Sequence, residues 1–269
     1  MSDLFPILTS PGKIGTLELK NRIVLPPMGT DAGRDGFVTD AIVNRYAENA
    51  KGGTGLIITE VTCVDPPLGI NTAQYIALSD DKYIPGFRRI TDVIHQYGSK
   101  CAIQLSHAGR GANLDVLHKL NQPAVAPSAV AMPYSFLTGL TGETPRAFEH
   151  DEIVALEDKF ADAAYRAKQA GYDAVEVHGA GYYLVAQFFS ATANLRTDEY
   201  GGSAENRARF ACNIIRKIKA RCGADFPVLI KMNVIDGGLN GGVSVMDGLL
   251  NCYLVQQAGA DAIEGIACN

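Results

Sequence analysis

Cys101-Ala102-Ile103-Gln104-Leu105-Ser106-His107-Ala108-Gly109-Arg110 opens as a short apolar run and breaks into polar, titratable and glycine residues within five positions. An apolar run of this length, bounded by punctuation, reads as a strand buried on both faces. Gln104, His107 and Arg110 then stand where the strand gives way to its loop. The loop runs from Ser106 to about His150, and its Pro, Ser and Gly content predicts irregular structure. Loops this long are uncommon in compact domains and tend to carry function.

The same pattern repeats on either side. Upstream lie Arg22-Ile23-Val24-Leu25, ending at Pro26-Pro27, and Gly55-Leu56-Ile57-Ile58-Thr59. Downstream lie Ala174-Val175-Glu176-Val177, Pro227-Val228-Leu229-Ile230 and Ala260-Asp261-Ala262-Ile263. Segments of helical period separate them. One opens at Thr39 as N-cap and ends near Gly52-Gly53. A second is capped by Ser79 and ends at Gly98. A third places Ile153, Leu156, Phe160, Ala163 and Ala167 on one face. A fourth runs from Ser203 to Cys222 with Phe210, Ile214 and Ile218 inward, and a fifth from Ser244 to Ala258. Strands alternating with amphipathic helices predict a parallel sheet covered on its faces. Six units fit either an open doubly wound sheet or an incomplete (β/α)8 TIM barrel.

Bulk properties set the outer bounds. A chain of 269 residues, 47% hydrophobic and 20% charged, suits one large α/β domain over 1–269. The net charge of -5 argues against a nucleic-acid partner, which calls for a basic face. No apolar stretch reaches the ~18 residues of a membrane span. The N-terminus lacks the basic and apolar regions of a signal peptide, so the expected location is cytoplasmic. Cys63, Cys101, Cys212, Cys222, Cys252 and Cys268 show no metal-ligand spacing, predicting buried free thiols and no metal.

Polar and titratable residues recur where each strand gives way to its loop: Pro27-Met28-Gly29-Thr30, Glu60, Gln104 with His107 and Arg110, Glu176 with His178, Tyr182 and Tyr183, and Lys231 with Asn233. In a barrel all of these would converge on the C-terminal mouth, where active sites form. In an open sheet they would be strung along an edge. Convergence from five strands favours the barrel.

The motifs resemble those of the Old Yellow Enzyme / 2,4-dienoyl-CoA reductase family. The matching stretches are Leu19 to Met28, Ile103 to Arg110, Val175 to Ala180, and Asn194-Leu195-Arg196-Thr197-Asp198-Glu199-Tyr200-Gly201-Gly202-Ser203 with Glu205 to Phe210. The resemblance implies FMN at the barrel mouth, with NAD(P)H as reductant and an activated C=C bond as the group reduced. It implies cofactor contacts from Pro27, Met28, Gly29, Val61, Gln104 and Lys231. It implies His178 as hydrogen-bond donor to the substrate carbonyl, Tyr183 as proton donor, and Tyr182 and Arg110 as further substrate contacts. Arg196, Asp198, Asn206 and Arg207 are expected to tie the loop to the helix start rather than to act in chemistry. Gly237 to Gly242 is expected to be a flexible loop, because it lacks the Lys-Ser/Thr of a phosphate loop.

Three departures from the family pattern stand out. Gly181 occupies the place of a second His or Asn on the substrate oxygen, with Tyr182 where Gly is usual. Gly29 replaces a Thr or Cys. The chain ends after the sixth run, so the seventh and eighth strands and their phosphate site are expected to be missing, as in a fragment. Longer members continue into a 4Fe-4S segment and an FAD domain, and those cofactors are expected only with such an extension. A Schiff-base barrel aldolase using Lys231, or a non-catalytic remnant, remains an alternative. The partner is expected to be a small molecule, and a homo-oligomer is compatible with the sequence.

Overall fold

A computed structural model describes residues 4–132, 142–237 and 241–268. A short hairpin comes first, β1 (Gly12–Ile14) against β2 (Leu17–Leu19). Then follow β3 (Val24–Leu25), α1 (Asp40–Lys51), β4 (Leu56–Cys63), α2 (Ile84–Gln96) and β5 (Lys100–Ser106). The long loop carries α3 (Leu114–Lys119) and a parallel pair of two-residue strands, β6 (Val125–Ala126) and β7 (Arg146–Ala147). The rest is α4 (His150–Gln169), β8 (Ala174–Gly179), α5 (Leu184–Phe189), α6 (Ala204–Cys222), β9 (Val228–Asp236), α7 (Val245–Gln257) and β10 (Ala262–Cys268).

The six long-range strands pair in the order β10-β9-β8-β5-β4-β3, every pair parallel. This order follows the chain without reversal, so the sheet has no switch point. A doubly wound sheet would need one. The winding is that of six units of a (β/α)8 barrel, which resolves the choice that the sequence left open.

Each strand sends alternate side chains to opposite faces. The outward set, including Ile57, Ile103, Val175, Val177 and Ile230, joins the main core with the inner faces of the helices. The α4 stripe Ile153, Leu156, Phe160, Ala163 and Ala167 is buried there, as are Phe210, Ile214 and Ile218 of α6. The inward set begins with Leu56, Ile58, Ala102, Ala174 and Leu229, which pack against Leu17 and Leu19. The hairpin is therefore the floor of the inner face, an element that the sequence reading did not anticipate. Its three-residue strands are too short for a periodicity signal.

Several expected boundaries move. Asp80, not Ser79, caps the second helical segment: its carboxylate accepts from the Lys82 amide over a single 3-10 turn, Asp81–Tyr83. The α-helix proper starts only at Ile84, where Pro85 in the first turn is pre-set for helix entry. Thr39 is at the N-cap of α1, but its hydroxyl donates to Ala32 O (2.7 Å) instead of capping. The first strand shrinks to Val24–Leu25, because the Arg22 amide donates to Leu8 O and the Ile23 amide to Asn21 Oδ1, both outside the sheet. Strand β9 runs on to Asp236, well past Ile230. Within the expected loop from Gly237 to Gly242, residues 238–240 lie outside the described residues. So does 133–141 of the long loop.

Cutting Leu19 back to alanine should lower unfolding free energy by about 2–5 kcal/mol, the range for a buried leucine, measured by urea denaturation. An unchanged midpoint would mean that the hairpin is a surface decoration and not a floor.

Candidate active site

Above the apolar floor the inward positions turn polar. Strand register sets Gln104 beside Glu176, His178 beside Lys231, and Lys231 beside Glu264. The Gln104 amide donates to Glu176 Oε2 (2.8 Å), and Lys231 Nζ donates to Glu264 Oε1 (2.6 Å). Gln104 and Glu176 are buried, which such groups tolerate only when paired. Burial, then the neighbouring Glu264, pushes the Glu176 carboxyl up to about 8, with Gln104 and Lys231 opposing. Glu264 lies one residue beyond the sixth apolar run as read from sequence, yet in the same inward phase as Ala262. Strand alternation carried one step further would have found it.

His178 is the penultimate residue of β8 and is 8% exposed, with Nδ1 buried and without a hydrogen-bond partner. Burial first, then the positive charge of Lys231, pushes its imidazole down to about 3. It is therefore neutral near pH 7 and able to donate from one ring nitrogen. The Tyr183 ring lies 4.6 Å from the His178 ring, centroid to centroid, and that of Tyr182 4.8 Å from Tyr183. Asn71 donates to the Tyr183 hydroxyl at 3.2 Å, a contact for which the sequence held no signal. Burial, followed by Tyr182, raises the Tyr183 phenol, so it keeps its proton.

The turn between His178 and Tyr183 is held from β9. Gly181 N donates to Asn233 Oδ1 (2.9 Å), and Asn233 Nδ2 donates back to Gly181 O (2.9 Å). Gly181 has φ +62, a conformation that glycine adopts freely and a β-carbon opposes. Glycine at this position adopts the turn without strain, and a β-carbon there would come no nearer than 3.9 Å to the Tyr183 ring.

At the other side of the mouth, β4 carries a bulge between Thr59 and Thr62. Bulges re-aim side chains, and this one releases Glu60 and Val61 toward the segment after β3. Glu60 is buried, and both the amide and the hydroxyl of Thr30 donate to its carboxylate at 2.8–2.9 Å. Val61 faces Gly29, where an added β-carbon would sit 3.9 Å from its Cγ1. Pro27 is half-buried and Met28 exposed. Pro27, Met28, Gly29 and Val61 therefore share one rim.

Arg110 is anchored to the loop that follows β5. Its guanidinium donates to Val130 O (3.0 Å) and Ala131 O (3.2 Å), and burial pulls it down to about 10 with Asp236 opposing. It forms the wall of a cavity of about 300 Å³ that Asn71, Met132 and Tyr182 also line. His107 Nδ1 accepts from Gly109 N (3.0 Å), and burial lowers its imidazole to about 4. The Asn194 to Phe210 segment ties loops to helix starts, as expected. Arg196 donates to Phe148 O (2.7 Å), Pro127 O (3.1 Å) and Asp198, and Arg207 to Phe189 O (2.9 Å) and Gly202 O (2.6 Å). Asn206 takes its place in that tie through Arg209 (2.7 Å). Of the cysteines, Cys63, Cys101, Cys212 and Cys222 are buried free thiols and Cys252 is half-buried. Among the described residues no helix is long and apolar enough to cross a membrane.

The sequence model of the NADH:flavin oxidoreductase / NADH oxidase family matches residues 7–268. An NADH oxidase of Thermoanaerobacter brockii is 43% identical over 260 residues, covering 96% of this chain and 39% of that protein. A cinnamate reductase of Clostridium sporogenes is 37% identical over 284 residues, covering 98% and 42%. An NADPH dehydrogenase of Bacillus subtilis is 36% identical over 259 residues, covering 96% and 72%. Among solved structures, an Old Yellow Enzyme homologue of Zymomonas mobilis superposes with TM-score 0.85 at 28% identity, over 96% of this chain and 72% of that one. A 2-naphthoyl-CoA reductase complex superposes with TM-score 0.88 at 27% identity, over 98% and 41%. The chain thus spans about two fifths of the length of the NADH oxidase and of the cinnamate reductase.

The depressed proton affinity of His178 has a consequence for stability. Its folded value lies below the ordinary 6.5, so the unfolded chain binds more protons as pH falls below 6.5, and stability drops toward pH 3. Replacing His178 with Asn should flatten the stability profile between pH 6 and pH 4 by about 1 kcal/mol per pH unit, read from urea midpoints. Parallel profiles for the two proteins would contradict the buried neutral imidazole.

Proposed function

The chain belongs to the NADH:flavin oxidoreductase / NADH oxidase family, and from that premise we propose that it binds FMN at the barrel mouth and reduces an activated C=C bond with hydride drawn from NAD(P)H. One observation carries the reading. Gln104, His178, Lys231 and Tyr183, from separate stretches of sequence, meet in a single cluster bounded by buried walls. His178 Nδ1 is also left without a partner there. A flat ring with polar edges fits that donor set: an amide at Gln104, a cation at Lys231, and a rim from Pro27, Met28, Gly29 and Val61.

FMN supplies the hydride chemistry when bound. The side chains do the rest. Lys231 places positive charge where negative charge develops on reduction, and Glu264 fixes its position at 2.6 Å. Neutral His178 donates a hydrogen bond to the substrate carbonyl oxygen, which draws electron density from the β-carbon. Tyr183, its phenol kept protonated by burial and oriented by Asn71, delivers its proton to the α-carbon. With Gly181 lacking a side chain, His178 is the side-chain donor of that segment to the carbonyl, and a missing second donor costs about 3 kcal/mol of activation.

Tyr182 and the Arg110 wall bound the space beyond Tyr183, and support a substrate with bulk past the reacting bond. The relative named a cinnamate reductase and the neighbour solved with 2-naphthoyl-CoA support an enoate or conjugated acyl thioester within the wider enone class. The aldolase reading has less support, because Lys231 Nζ is engaged by a carboxylate at 2.6 Å instead of standing free to attack a carbonyl.

Tyr183→Phe in the FMN-loaded protein should slow turnover of an enone about 10²–10⁴-fold, the span of one general acid, while flavin bleaching by NAD(P)H proceeds at its original rate. Stopped-flow absorbance separates the two half-reactions. Failure of the protein to take up FMN, or borohydride trapping of a carbonyl substrate on Lys231, would overturn the proposal.

A further inference from the structure

At the opposite, N-terminal face of the sheet three residues of different chemistry are brought together. His95 is in the last turn of α2, Gly98 (φ +67) reverses the chain, and Cys101 follows on β5. Asp173, immediately before β8, donates its amide to Cys101 O (3.0 Å), which locks its position beside the neighbouring strand. The side chains close a triangle: His95 Nε2 to Asp173 Oδ2 2.7 Å, Cys101 Sγ to His95 Nε2 3.6 Å, and Cys101 Sγ to Asp173 Oδ2 3.6 Å. Among the described residues this is the group of His, Cys and acidic side chains compact enough to hold a metal ion.

We propose that His95, Cys101 and Asp173 form a mononuclear zinc-type metal site, with one thiolate, one imidazole, one carboxylate and a water as fourth ligand. A tetrahedral ion with Zn–S near 2.3 Å and Zn–N or Zn–O near 2.05 Å requires S···N and S···O separations of about 3.5 Å. Both sulfur edges already have that length. The N···O edge requires about 3.3 Å on the same geometry, so the His95–Asp173 contact must open by about 0.6 Å. His95 has the freedom to do this, since its side chain is 38% exposed.

The surroundings orient the ligands. Lys100 Nζ holds Asp173 Oδ1 (2.9 Å), which leaves Oδ2 as the single ligating oxygen. The Cys101 amide donates to Oδ2 at 2.9 Å and fixes its direction. On binding, the Cys101 thiol proton leaves to solvent, and the imidazole proton is carried on Nδ1 so that Nε2 faces the ion. Two anionic ligands then neutralise a dication. A thiolate and an imidazole in one set select zinc-like ions over magnesium or calcium. Gln104 is three residues further along β5, roughly 10 Å at strand rise, so this ion would serve the packing of α2 on β5 and β8 and not the mouth.

The test is cobalt(II) titration of chelator-stripped full-length protein, followed by thiolate-to-metal absorption, with zinc as competitor. The expected result is one equivalent bound, the band displaced by zinc, abolished in Cys101→Ser, and affinity at least about 100-fold weaker in His95→Gln. Zinc should also raise the melting temperature of the parent and not that of His95→Gln. His95→Gln alters a partly exposed side chain and keeps the test decisive if Cys101→Ser fails to fold. No thiolate band, a band that survives in Cys101→Ser, or equal affinity in His95→Gln would overturn the site and leave an ordinary ion pair.

Discussion

Parallel pairing in one fixed register is the constraint on which everything else in this molecule rests. Because side chains alternate across a strand, a slip of one residue would exchange every inward group for an outward one. In the register observed, Gln104 meets Glu176, His178 meets Lys231, and Lys231 meets Glu264. The same register lays Leu56, Ile58, Ala102, Ala174 and Leu229 in a layer beneath them. One geometric choice thus produces both an apolar floor that stabilises the sheet and a polar layer that is costly to bury.

That cost shapes the site. A carboxyl, an ammonium and an imidazole removed from water each favour their neutral forms unless partnered. Lys231 is partnered by Glu264, Glu176 by Gln104, and His178 is kept neutral. Burial, then the neighbouring Glu264, pushes the Glu176 carboxyl up, toward its neutral form. The outcome is a layer of settled charge, preorganised before any ligand arrives. Electrostatic stabilisation of this kind needs no rearrangement during reaction. The Asn233–Gly181 clamp extends the same rigidity to the turn that presents Tyr183.

Much of this was legible in the residues alone. The strand-end positions of Gln104, His178, Tyr183 and Lys231 followed from apolar runs with polar ends, and the helix stripes from their period. What escaped had physical reasons. The β1–β2 hairpin is too short for a pattern. Glu264 needed the strand phase extended past an apolar run. Asn71 reaches Tyr183 from 112 positions away in the chain, and no local signal encodes it. Arg110 was expected at the substrate; one guanidinium nitrogen is held by the Val130 and Ala131 carbonyls, while the side chain also lines the cavity beside Tyr182. Cys101 lacked any ligand spacing because its neighbour Asp173 is 72 residues distant.

The central claim is that Gln104 on β5 and Lys231 on β9, the strands flanking β8, act on one ring. The direct measurement is FMN affinity, by flavin fluorescence quenching, in a double-mutant cycle of Gln104→Leu and Lys231→Met. Two contacts on one rigid ring predict that each substitution weakens binding about tenfold or more and that their effects are not additive, with a coupling of about 0.5 kcal/mol or larger. Strictly additive effects, or FMN binding unaffected by either change, would contradict it.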